Sequence, residues 1–179
     1  MIIGLTLVLA CGGDQQAEAN KMVAEANKKL NDAKEVMVKT EKRNEELFSA
    51  NIQTVAQLQS YKNKMSGEAK DIIANYEKIG STLKELAKTY DDISRMNVTD
   101  KYKEYTKVKS DEYNKRAEAI NVKKGDAQAF IEIDDPKTMV GKFADNKEKS
   151  EKLFGEADEL GTKATKMEKD HPELFTEVK

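Results

Sequence analysis

The chain has 179 residues, with 31 basic and 33 acidic side chains and a formal net charge of −2, so no field of one sign exists to draw in nucleic acid. Its single Cys excludes an intramolecular disulfide, and its single His excludes the paired Glu-x-x-His ligands of a di-iron helical bundle. Charged residues make up 36% and Trp is absent; such a composition belongs either to long solvated helices or to disorder, and only periodicity separates the two.

The chain opens on an apolar run, Ile2 to Ala10, closed by Cys11 and followed at once by the polar stretch Gly12-Gly13-Asp14-Gln15-Gln16. A run of that length is too short to span a hydrocarbon core, which takes about 20 helical residues. Val8-Leu9-Ala10-Cys11 resembles the lipobox of bacterial lipoproteins, with a small residue before the cysteine and an apolar segment before that. The resemblance covers residues 1 to about 13. It implies that residues 1–10 are a cleaved signal peptide, that Cys11 is acylated (a diacylglycerol plus an amide-linked chain such as palmitate), and that 11–14 form a lipidated linker. The pattern departs from the family at its start, where no Lys or Arg precedes the apolar run. Either the signal begins upstream of Met1 or the α-amino group supplies the positive charge. The resemblance places the chain in the cell envelope, and Gly12 rather than an aspartate after the cysteine favours the outer membrane of a diderm cell, on its periplasmic or surface face.

From Asp14 to Ser66 there is neither Gly nor Pro, while Met22, Ala26, Leu30, Ala33, Met37, Leu47, Val55 and Leu58 fall mostly on one helix face. We expect a first helix over about 15–65, with Ser49 to Asn51 its one weak point. Its Ala-, Asn- and Lys-rich beginning reads as a stalk that protrudes beyond shorter neighbours. Ser66-Gly67 then punctuates the chain and a second stripe, Ile72 to Ile93, predicts a helix over 67–97. Thr99 or Asp100 caps a third over 100–133, within which Gly125 is a point for a kink or break. Asp134-Asp135-Pro136 is the clearest boundary, and Pro136 suits the first position of a fourth helix over 136–171. Residues 172–179 are left as a tail. Strand patterning is absent, so the fold expected is all-α, an elongated antiparallel four-helix bundle or coiled coil with a protruding N-terminal helix.

Chemistry is sparse along these helices. Glu168 and His171 have metal-ligand spacing but no second pair to complete a site. With Cys11 taken up by lipid and His171 near the C-terminus, no nucleophile and base can be assembled. Carboxylates alternate with lysines, as in Glu25, Lys28 and Lys29, which is a solvated face rather than an acid–base pair. No catalytic residue, metal ligand or cofactor is therefore assigned. The tyrosines are the one feature with two readings. Tyr102, Tyr105 and Tyr113 share a face, and a hairpin turning near Asn97 sets Tyr90 opposite Tyr105. With Tyr76 they form either a packing seam or the lining of a ligand pocket.

The function expected is that of an exported, non-enzymatic, lipid-anchored scaffold, spacer or interaction module, held to the membrane through Cys11 and bound to an envelope protein of unknown identity. The alternatives are a carrier with a small ligand or lipid between the tyrosines, or a surface lipoprotein engaging host or phage molecules. The last draws on a general resemblance in composition and architecture to the helical surface lipoproteins of spirochaetes.

Overall fold

A computed structural model describes residues 15–175. Cys11, the lipobox, the linker and the last four residues lie outside that range. Four long helices follow one another: α1 (Gln16–Leu47), α2 (Val55–Ser94), α3 (Asp100–Glu132) and α4 (Pro136–Asp170), with a short 3₁₀ turn at Pro172–Leu174. They form an all-α bundle. Cross-helix contacts give its sense: Lys29 reaches Glu85 and Arg43 reaches Glu68 between α1 and α2, Lys62 donates to the Ile131 carbonyl and Ser110 to the Ala87 carbonyl between α2 and α3, and Tyr105 meets Glu168 and Asp126 meets Asn146 between α3 and α4. Along each pair of helices one number rises as the other falls, so consecutive helices are antiparallel, as the short connections require. One end of the bundle carries the α2–α3 turn at Asn97, and the other carries the α1–α2 connection and the α3–α4 turn at Asp134.

Local chemistry sets the helix starts. Thr54 and Gln57 form a reciprocal capping box for α2, the Thr54 hydroxyl accepting from the Gln57 N–H at 3.2 Å and the Gln57 side chain accepting from the Thr54 N–H at 3.2 Å. Thr99 accepts from the Tyr102 N–H to start α3. Asp135 accepts from the Thr138 N–H at 2.8 Å, with Pro136 in the first turn of α4.

Two expectations about the first helix are corrected. It ends at Leu47, not near residue 65, and the second begins at Val55. The chain breaks at 48–54, where Phe48 leaves the helix to stack on Phe143 with ring centroids 4.2 Å apart. Gly67, read as a boundary, lies inside α2 with open space around it; a lone exposed helix glycine costs only about 1 kcal/mol, too little to end a helix held by tertiary packing. Nor does the start of α1 protrude. The Gln15 N–H donates to the Asn97 carbonyl and the Asn97 N–H to the Gln15 side chain at 2.8 Å, while Ala19 is fully buried with Ile93, Val98 and Tyr102. Ala19, Ala26, Ala33, Thr40 and Leu47 recur every seven residues, and all are buried. What reads as a thin stalk is thus a packed face of the bundle.

The large core side chains come from the central pair. Tyr76, Tyr90, Tyr102, Tyr113, Phe130, Ile72 and Leu86 are fully buried on α2 and α3, whereas α4 buries mainly Met139, Asn146, Ser150, Ala157 and Ala164. Gly125 does not break α3, which runs through it.

Candidate functional site

Antiparallel pairing of α2 and α3 brings the sequence-predicted tyrosines together. Tyr90 lies across from Tyr105, edge to face with centroids 6.4 Å apart, and against Tyr113 at 5.5 Å. Tyr102 adjoins Tyr105 at 5.9 Å. Tyr76 stands apart from this cluster, buried beside the Glu41, Asp126 and Glu45 charges. The rings fill the seam as core, each 2% exposed or less.

A further ring completes the cluster. Phe175, in the stretch read as tail, packs on Tyr102 at 5.4 Å and on Tyr105 at 4.8 Å. The available signal was the apolar pair Leu174-Phe175 just after Pro172, a residue that turns the chain back. Two of the hydroxyls find partners on neighbouring helices: Tyr102 donates to Asn20 Oδ1 at 2.7 Å and Tyr105 to Glu168 Oε1 at 2.6 Å. Burial, reinforced by the Glu168 charge, pushes the Tyr102 phenol up to about 12 and raises Tyr105 further. Such phenols remain protonated donors at neutral pH and are poor acids or bases. Lys109 covers the outer face, its ammonium 4.6 Å from the Tyr113 ring centroid.

Two buried carboxylates escaped sequence reasoning, because each draws its partners from other helices or from a polar stripe that looks solvated. Glu112 on α3 is 5% exposed and is gripped by Lys109 at 2.6 Å and Arg116 at 3.0 Å, with Arg116 reaching on to Asp158 of α4 at 2.8 Å. Gly161 of α4 packs against this carboxylate; a Cβ there would sit 3.2 Å from Glu112 Oε1. Asp126 is 2% exposed and has amides for partners, accepting from Asn146 Nδ2 of α4 at 2.9 Å and from Asn44 Nδ2 of α1 at 3.1 Å. Burial raises the Asp126 carboxyl above the usual range against the pull of those bonds. Gly125 makes room for Asn146, whose amide nitrogen would lie 3.1 Å from a Cβ at that position.

A cavity of about 160 Å³ lies at mid-height, lined from all four helices by Leu30, Met37, Ile79, Leu83 and Phe154 with the Lys109–Glu112–Arg116 group beside it. Among the described residues no group of three or more His, Cys, Asp or Glu side chains is gathered to hold a metal ion. Glu168 instead accepts from Tyr105, and His171 caps α4 and contacts Glu173 at 3.2 Å. No described helix is long and apolar enough to cross a membrane. No family model matches the chain, and no curated protein or solved structure is significantly similar to it.

Proposed function

We propose that the chain is a lipid-anchored helical protein of the bacterial cell envelope, acting without catalysis as a scaffold or spacer for another envelope protein. The observation that supports it most directly is the pair of hydrogen bonds between Gln15 and Asn97. Only three residues lie between Cys11 and Gln15, four steps along the chain that reach at most about 14 Å when fully extended. An acylated Cys11 therefore holds the bundle by its Asn97 end, close to the bilayer. Two or three acyl chains on one residue suffice for stable attachment where one does not.

The opposite end then points away from the membrane, about 50–60 Å out for helices of 32 to 40 residues. Val55 and Val140, 52% and 54% exposed, lie near that end beside the capped starts of α2 and α4. With Val38 on α1 they are the exposed large apolar side chains among the described residues, on a surface otherwise laced with ion pairs such as Lys115 with Glu156 and Arg95 with Asp91. An exported rod of this kind acts by reach and contact.

The test is membrane fractionation of the wild type beside Cys11→Ala, with intact mass of the membrane-bound form, followed by photocrosslinking from position 140 in intact cells. Acylated, membrane-bound wild type, a released variant and one recurrent crosslinked protein are expected. A wild type that is soluble and retains residues 1–10 overturns the anchoring. An anchored protein that crosslinks to nothing specific overturns the scaffold role.

A further inference from the structure

Helices α1 and α4 are tied at both ends and part between them. At the Asp134 end Phe48 stacks on Phe143, and at the Asn97 end the Gln16 amide donates to the Leu174 carbonyl at 3.1 Å. Between those ties the two backbones scarcely approach. The cavity of about 160 Å³ occupies the gap, with Leu30 and Met37 of α1, Phe154 of α4, and Ile79 and Leu83 of α2 for walls. A volume of that size admits a guest about as large as benzene, and the lining is two-sided, apolar at Leu30, Met37, Ile79, Leu83 and Phe154 and charged at Lys34, Lys109, Glu112 and Arg116.

The polar groups around it fall into two kinds. Lys109, Glu112 and Arg116 satisfy one another, with Asp158 as the outer partner of Arg116, so the carboxylate present is already occupied. Lys34, exposed on α1, also lines the cavity, and among the described residues no carboxylate pairs with it. One unpaired cation at the opening of an apolar hole selects a guest with one negative charge and a short apolar body. A cationic guest would meet Lys34, Lys109 and Arg116, and a polyanion would find, among the described residues that line the cavity, one cation not already paired.

We propose that this mid-bundle cavity binds a small monoanionic amphiphile, a carboxylate bearing an apolar group of about six to eight carbons, with the apolar part among Leu30, Ile79, Leu83 and Phe154 and the carboxylate at Lys34. The site is independent of Cys11, so this proposal and the anchoring reading stand or fall separately.

The experiment is a titration of the full chain, labelled at Leu, Ile and Met methyls, with octanoate, benzoate, octanol and octylamine followed by NMR. Octanoate or benzoate is expected to shift the Leu30, Met37, Ile79 and Leu83 methyls saturably, and octylamine to bind least. Lys34→Gln, a surface change, is expected to weaken carboxylate binding about three- to fivefold, the range of one exposed ion pair, and to leave octanol unchanged. Leu30→Trp, which puts the chain's only indole beside the space, is expected to abolish binding with its helical circular dichroism intact. Absence of saturable shifts at these methyls with either carboxylate overturns the proposal, as does unchanged binding in Leu30→Trp. Equal affinity for octanol and octanoate, insensitive to Lys34→Gln, overturns the anionic guest.

Discussion

Asn146 of α4 donates its amide to Asp126 of α3 at 2.9 Å, in a place where Asn44 of α1 donates to the other carboxylate oxygen. One buried acid thereby joins three helices without an ion pair, in contrast to Glu112, which is held by two cations.

That contrast yields a pH prediction. Burial raises the native Asp126 carboxyl above its unfolded value, so between the two values the native state binds a proton that the unfolded chain does not. This contribution to stability is therefore largest below the unfolded value and falls as pH rises through the raised native one, after which the charge is a constant burden. Asp126→Asn is expected to raise Tm at pH 7 by about 2–4 °C, the effect of about 1 kcal/mol in a chain of this size, and to flatten the acidic limb of the Tm–pH curve. The new amide has an acceptor at hand, since Asn44 Oδ1 is buried without a partner. Thermal melts of both proteins from pH 3 to 8 are the measurement.

The glycines of α4 should separate into two classes. Gly155 has open space around it, and Gly155→Ala is expected to stabilise by about 0.5–1 kcal/mol through helix propensity. Gly161→Ala carries the same propensity gain but sets a methyl 3.2 Å from a carboxylate that Lys109 and Arg116 hold in place. It is expected to destabilise, and urea unfolding of the two variants should move the midpoints in opposite directions.

Phe175 closes the aromatic cluster from outside the four helices. Phe175→Ala is expected to cost about 1–2 kcal/mol, less than a fully buried Phe because the ring is only partly covered. The loss should be local. Hydrogen exchange should quicken at residues 16–23, which pack beside it, and remain unchanged around Leu58 and Phe130 at the far end.

Thr54 begins α2 through its capping box. Thr54→Ala removes one side of the reciprocal pair and is expected to cost about 1 kcal/mol. Thr54→Ser keeps the hydroxyl and should recover most of it, which chemical denaturation of the three proteins would resolve.

Much of this molecule is written in single positions and short spacings. Asp135-Pro136 marks the start of α4 because a capping carboxylate and a ring without an N–H act within one turn, and the third and fourth helices end within a residue of expectation. The seam between Tyr90 and Tyr105 is legible because an antiparallel hairpin fixes which residues oppose each other. The Thr54-Val55-Ala56-Gln57 capping box was equally present in the chain, but Gly67 carries the stronger local signal and displaced it.

What the sequence by itself determined is therefore what depends on the period of one helix and the chemistry of its ends: an all-α fold of four long amphipathic helices among the described residues. Only the tertiary structure decided what small and polar residues do. Ala19, Ala26 and Ala33 look solvated until another helix lies against them, and are then buried. Glu112 and Asp126 look like members of a charged face, yet both are buried once the helices pack; Glu112 is held by neighbours three and four positions along its own helix, whereas Asp126 takes its partners from α1 and α4, 82 and 20 positions away, at distances that no spacing along the chain encodes. The cavity is of the same kind: it exists because α1 and α4 are joined at their ends and not in the middle, a property of two helices remote in sequence and therefore of neither alone.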